Sequence, residues 1–111
     1  MITANEIISK LQSGELESPA ILSDYIVILS SKLSQIGNME LEAEIAYSKK
    51  WSELKDNCKT DKVCDMQAKL TPEYKEWKRA VIANKTILET IRSLKKKLTN
   101  LEGELRSGQN Y

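Results

Sequence analysis

The chain has no histidine and no phenylalanine, and only two prolines, four glycines and two cysteines in 111 residues. Each scarcity excludes something. Without His, the commonest general base and the commonest metal ligand are missing. With few aromatic and turn-forming residues, a β-sheet has little from which to build its faces or its hairpins. Cys58 and Cys64 have no His beside them and are too few for a zinc site, even with nearby carboxylates. Free thiols are the expectation. A local disulfide requires one cysteine to leave the helix, because helical positions six apart point to different sides. No run approaches the ~18 apolar residues of a membrane span. Ala20 to Leu29, the longest apolar-rich piece, is interrupted by Ser23 and Asp24. Glu6 stands where a secretory leader needs basic residues and then an apolar core. The expectation is therefore a cytoplasmic protein with no membrane contact.

Charge is plentiful, at 30% of residues, and its net value of +1 conceals an asymmetry. Residues 1–57 hold five Lys and nine Asp or Glu, a balance of −4, whereas residues 71–106 hold nine Lys or Arg and five Glu, a balance of +4. An acidic helix lying against a basic one accounts for this without an outside partner.

Helix signals divide the chain into four pieces. Thr3 and Glu6 form a capping box flanked by Ile2 and Ile7, and Gly14 is a natural stop, so residues 1–16 hold a short helix whose face is Ile7, Ile8 and Leu11. Ser18-Pro19 opens a long helix over residues 18–57, Ser as cap and Pro in the first turn. Leu22, Ile26, Leu29, Leu33 and Ile36 follow at steps of four and three, the spacing of a coiled-coil seam. Gly37-Asn38 is a possible kink. Beyond it the helix is apolar on two sides: Leu41 and Ile45 on one, Ala43, Tyr47, Trp51 and Leu54 on another, with Ala46 between. A helix of that kind is usually gripped from two sides. Residues 58–71 read as a linker around a short helix from about Asp61, with Val63, Met66 and Leu70 on one face. Thr71-Pro72 repeats the start signal.

The last helix, residues 72–106, carries the clearest pattern. Trp77, Ala80, Asn84, Ile87, Ile91, Leu94, Leu98, Leu101 and Leu105 alternate steps of three and four over four heptads. Asn84 is the one polar member, the kind of residue that fixes register by finding a polar partner. Val81 and Leu88 broaden the stripe. Fraying is expected near Gly103 and Ser107-Gly108. The predicted fold is all-α: one domain, a long antiparallel helical hairpin or coiled coil with short accessory helices. Two-helix hairpins are marginal alone, so the chain is expected to form a homo-oligomer.

Catalytic constellations are lacking. There is no Gly-rich phosphate loop, no nucleophile motif and no cofactor fingerprint. Glu40 and Glu44 share a helix face with Glu42 turned aside, but no Glu-x-x-His accompanies them, so they read as a solvated acidic face. No enzyme, cofactor or metal is expected. Two surfaces stand out instead. Tyr47, Trp51, Tyr74 and Trp77 can cluster if the hairpin turns near residues 58–71, as core or as a platform. Lys75, Lys78, Lys85, Arg92 and Lys96 fall on the outward face of the last helix, with Lys95 and Lys97 beside them and Glu89 the one acid among them. Such a ridge can track a phosphate backbone or bind another partner, and is also the ordinary surface of a long helix.

Three runs carry a resemblance: Glu42-Ala43-Glu44-Ile45-Ala46-Tyr47 with Trp51, then Thr71-Pro72-Glu73-Tyr74-Lys75-Glu76-Trp77, then Ile91-Arg92-Ser93-Leu94-Lys95-Lys96-Lys97-Leu98. Over roughly residues 38–100 the chain resembles small helical proteins of bacteriophages and prophages, often encoded near recombination and replication genes. The resemblance implies a bacterial host-cell cytoplasm and a phage-related role, and carries over no site residue. Together with the absence of catalytic motifs, the expected function is a non-enzymatic helical binding protein, an accessory to phage DNA recombination or replication. Alternatives are a phage inhibitor docking on a host defence or regulatory protein, and a purely structural coiled-coil assembly protein. A protein partner is expected, and the basic ridge adds nucleic acid as a second candidate.

Overall fold

The computed structural model describes residues 2–14 and 18–109, with side chains described as far as Glu104. Among them the fold is all-α: α1 (Ala4–Ser13), α2 (Pro19–Lys55), α3 (Asp61–Ala68) and α4 (Pro72–Gln109). The long α2 and α4 are the arms of a helical hairpin, and α1 and α3 are the accessory helices.

Hydroxyl side chains start all four helices, because the first turn of a helix has backbone N–H groups without partners. Thr3 Oγ1 accepts from Glu6 N at 3.2 Å, and Ser18 Oγ accepts from Ile21 N at 3.3 Å. Thr60 Oγ1 accepts from Val63 N at 3.2 Å, and Thr71 Oγ1 accepts from Tyr74 N at 3.4 Å. Gly14 ends α1 at a φ of 74°, where its N–H reaches the carbonyls of Leu11 and Lys10. A Cβ is strained in that conformation, which is why glycine stands there.

Several boundaries differ from those expected. α1 stops at Ser13, and residues 15–17 lie outside the described residues. α2 runs unbroken through Gly37-Asn38. One glycine costs a helix about 1 kcal/mol, less than the seam residues on both sides recover by burial. α2 ends at Lys55 in a turn closed by Asn57 N on Leu54 O and Cys58 N on Lys55 O. α4 passes Gly103 and Ser107-Gly108 without a stop and reaches Gln109. The side chain of Leu105, the last expected seam residue, is outside the described set.

The chain divides into two compact units, one of residues 1–34 with 86–111 and one of residues 35–85. In the first, Ile7 of α1, Leu22, Tyr25 and Leu29 of α2, and Ile87, Ile91 and Leu94 of α4 are buried. Ile7, Leu11, Leu22, Tyr25 and Leu94 line one small cleft together with Lys10 and Lys97, so three helices close around one core. Thr90 is buried too, its hydroxyl donating to Thr86 O at 2.7 Å within the helix.

In the second unit Glu40 faces Asn84 and Tyr47 faces Trp77. The pairs are seven residues apart on both helices and run in opposite directions, so α2 and α4 are antiparallel and one heptad of each matches one of the other. Burial is thinner here. Ile36, Cys64 and Ala68 are its buried side chains among the described residues.

Candidate functional site

The seam expected on α4 is buried at Ile87, Ile91 and Leu94, and half-buried at Trp77, Ala80, Asn84, Leu98 and Leu101. Asn84 does find a polar partner: its Nδ2 donates to Glu40 Oε2 at 2.7 Å. The carboxylate strengthens that bond, and sliding either helix by one residue would separate the two groups. Glu40 is therefore committed to the seam, while Glu42 and Glu44 are exposed. No group of three metal-ligating side chains forms among the described residues.

The aromatic cluster assembles in the second unit with one member fewer than expected. Tyr47 stacks on Trp77 at 5.1 Å between ring centroids, lies 5.4 Å from Tyr74, and Tyr74 meets Trp77 edge-on at 6.2 Å. Trp51 does not join, because its Nε1 donates to Asp65 Oδ1 on α3 at 2.7 Å and Lys55 covers its ring at 5.3 Å. Burial, then the negative charge of Asp65, then the neighbouring Tyr74 raise the Tyr47 phenol above its ordinary pKa. Trp77 Nε1 and Glu73 Oε2, one helical turn apart on α4, are buried without hydrogen-bond partners. The rings close on one another, so the cluster reads as packing with two polar atoms left unpaired rather than as an open platform.

All six ridge cations, Lys75, Lys78, Lys85, Arg92, Lys95 and Lys96, lie on α4 and all six are exposed. They are not equivalent. The Lys78 ammonium sits 4.5 Å from the Trp77 ring centroid and 5.6 Å from that of Tyr74, so it caps the aromatic cluster. Exposed Ile82 also falls on the outward face of this helix, between Lys78 and Lys85. In the first unit Arg92, Lys95 and Lys96 form a tighter group, and none makes an ion pair among the described residues.

The connector corrects one expectation outright. Cys58 and Cys64 are joined in a disulfide, with their Cα atoms 5.5 Å apart, rather than standing as free thiols. The physical reason is the early end of α2, which leaves Cys58 in the turn while Cys64 lies buried on α3. This brings the pair within the Cα range that a bridge needs. α3 presents Cys64 and Ala68 inward, so the expected face of Val63, Met66 and Leu70 points to solvent, with Leu70 86% exposed. The sequence pattern located that face but assigned it no direction.

No helix of the described residues is long and apolar enough to cross a membrane. Comparison with protein-family models, with curated proteins and with solved structures gives no match.

Proposed function

We propose that the chain is a non-enzymatic helical binding protein, an accessory to DNA recombination or replication that meets nucleic acid through the cations of α4. The observation that carries this reading is the group Arg92, Lys95 and Lys96: adjacent on one helix, open to solvent, and without ion pairs among the described residues. Cations without an ion-pair partner among the described residues are available to phosphates, and each contact made releases counterions. Lys75 and Lys85 carry the same charge by themselves in the second unit. The resemblance to phage and prophage proteins supplies the setting, a bacterial cytoplasm. A reducing cytoplasm holds cysteines as thiols, so the Cys58–Cys64 bridge weighs against that location. Thiol titration of protein taken from cells without reductant decides that point.

The test is fluorescence anisotropy with short labelled single- and double-stranded DNA at low and physiological salt. Binding is expected to weaken steeply with salt. Arg92→Gln with Lys96→Gln is expected to lower affinity for all sequences alike and to flatten the salt slope. The melting temperature should stay in place, because both groups are solvent-facing. No binding at low salt removes this reading. A second reading, an inhibitor that docks on a host protein, is favoured by the outward face of Val63, Met66 and Leu70. An apolar face of that kind is usually covered by something.

A further inference from the structure

The second unit leaves one side of α2 uncovered. Glu40, Ala43, Tyr47, Trp51 and Leu54 are half-buried. Asn38, Leu41, Ile45, Ser48 and Ser52, at steps of three and four, lie on the other side and are exposed, Leu41 by 57% and Ile45 by 47%. Leu41, Ile45, Ser48 and Ser52 form a shallow, open surface along α2, with Glu44, Lys49 and Glu53 beside it. Steps of three and four define a second heptad seam, with Asn38, Ile45 and Ser52 at one core position and Leu41 and Ser48 at the other.

We infer that this face binds a second copy of the chain, α2 against α2, as a short parallel coiled coil. A β-branched residue at the first core position with Leu at the second favours two parallel strands, and an Asn at the first position fixes their register by pairing with its own copy. In that arrangement Glu44 of one chain stands opposite Lys49 of the other, five residues further on, and the two-fold axis repeats the pair. The edge charges are thus complementary to themselves. The acidic residues Glu42, Glu44 and Glu53 also make the face a poor match for an anionic lipid surface or for nucleic acid. The seam spans about two heptads, too short to form from a disordered chain, but α2 is already held in helix by α4. Serines at two of the five positions let the backbones approach closely while adding little apolar burial. The dimer is consequently weak and dilutes to monomer. It is independent of the cations on α4, so the nucleic-acid reading and this one fail separately.

Sedimentation equilibrium over a range of concentrations at low salt tests it. The mass is expected to rise from one chain to two. Leu41→Asp places a charge in the seam and is expected to lower the association constant by more than about tenfold. Its melting curve at high dilution should match the parent, because Leu41 is exposed in the single chain. Glu44→Lys and Lys49→Glu, each alone, are expected to weaken association several-fold, and an equimolar mixture of the two variants is expected to restore it. That recovery comes from partner exchange alone, since neither variant folds differently when mixed. A monomer at every concentration overturns the proposal, as does a dimer that Leu41→Asp leaves intact. Loss of association with Glu42→Lys but not with Glu44→Lys would mean antiparallel helices, and would overturn the parallel pairing.

Discussion

The two units use the same pair of helices and reach different solutions. In the first, α1 lies beside α2 and α4, and three helices enclose an aliphatic core in which Ile7, Leu22 and Leu29 are fully buried, although Val27 on the outside of α2 is exposed. In the second, α3 is short and covers only one end. Its core is half-buried rings, a polar pair and a disulfide, and Met39, Leu41, Ile45, Met66, Leu70 and Ile82 are exposed. A third helix laid along two others completes a core, whereas a third helix at the end of two others leaves their outer faces open. The stability of the first unit should therefore rest on aliphatic burial, and that of the second on specific pairs and a covalent link.

The largest effect should come from a charge in the aliphatic core. Leu94→Asp is expected to cost about 4 kcal/mol or more, because an unpaired carboxylate replaces a buried side chain among apolar neighbours. Ile82→Asp, on the second unit at 64% exposure, should shift the melt by little. Equal losses in thermal melts followed by circular dichroism would mean that Leu94 is not held in an aliphatic core.

Breaking the disulfide comes next. Reduction, or Cys58→Ser with Cys64→Ala, is expected to cost about 2 kcal/mol, the chain-entropy value for so short a loop. The Cys58 sulfur lies 3.0 Å from the Leu54 carbonyl, within reach of a reduced thiol, and alanine at the buried position 64 adds no polar group. Hydrogen exchange should report the loss at α3 and at the Trp51–Asp65 contact. Amides around Ile87–Leu94 should keep their protection.

Gly37→Ala works in the opposite direction. A Cβ at Gly37 meets nothing within 4 Å, and the residue is helical, so alanine should stabilise by about 0.5–1 kcal/mol. A destabilised variant would show that α2 needs its glycine for motion or close packing.

The smallest effect is at alkaline pH. The raised Tyr47 pKa means that the unfolded chain ionises first. The associated stability is present below the ordinary tyrosine range and is lost as pH rises through the folded value. Tyr47→Phe should therefore flatten the fall in stability above about pH 10 while changing little at neutral pH. An unchanged alkaline profile would remove Tyr47 as its source.

Much of this molecule is legible in local order. Thr3, Ser18 and Thr71 mark helix starts because capping depends only on residues within one turn. The seams of α2 and α4 follow from a repeat of three and four that no tertiary contact is needed to see. Asn84 announces a polar partner by its place in the seam, yet Glu40 can be named only once the helices are aligned. Tyr25 and Thr90 escape a reading based on apolar period, which passes over polar and amphipathic side chains. No pattern marks which of them will be covered.

By itself the sequence determined where helices begin, that they are long, and which of their faces are apolar or basic, since each of these depends on neighbours within a turn or two. Only the tertiary structure decided which apolar faces are covered. Coverage depends on where a third helix lands, and the positions of α1 and α3 depend on contacts among residues far apart in the chain. The same holds for Cys58. Its spacing from Cys64 was plain in the sequence, but the end of α2 at Lys55 set whether the two sulfurs could meet.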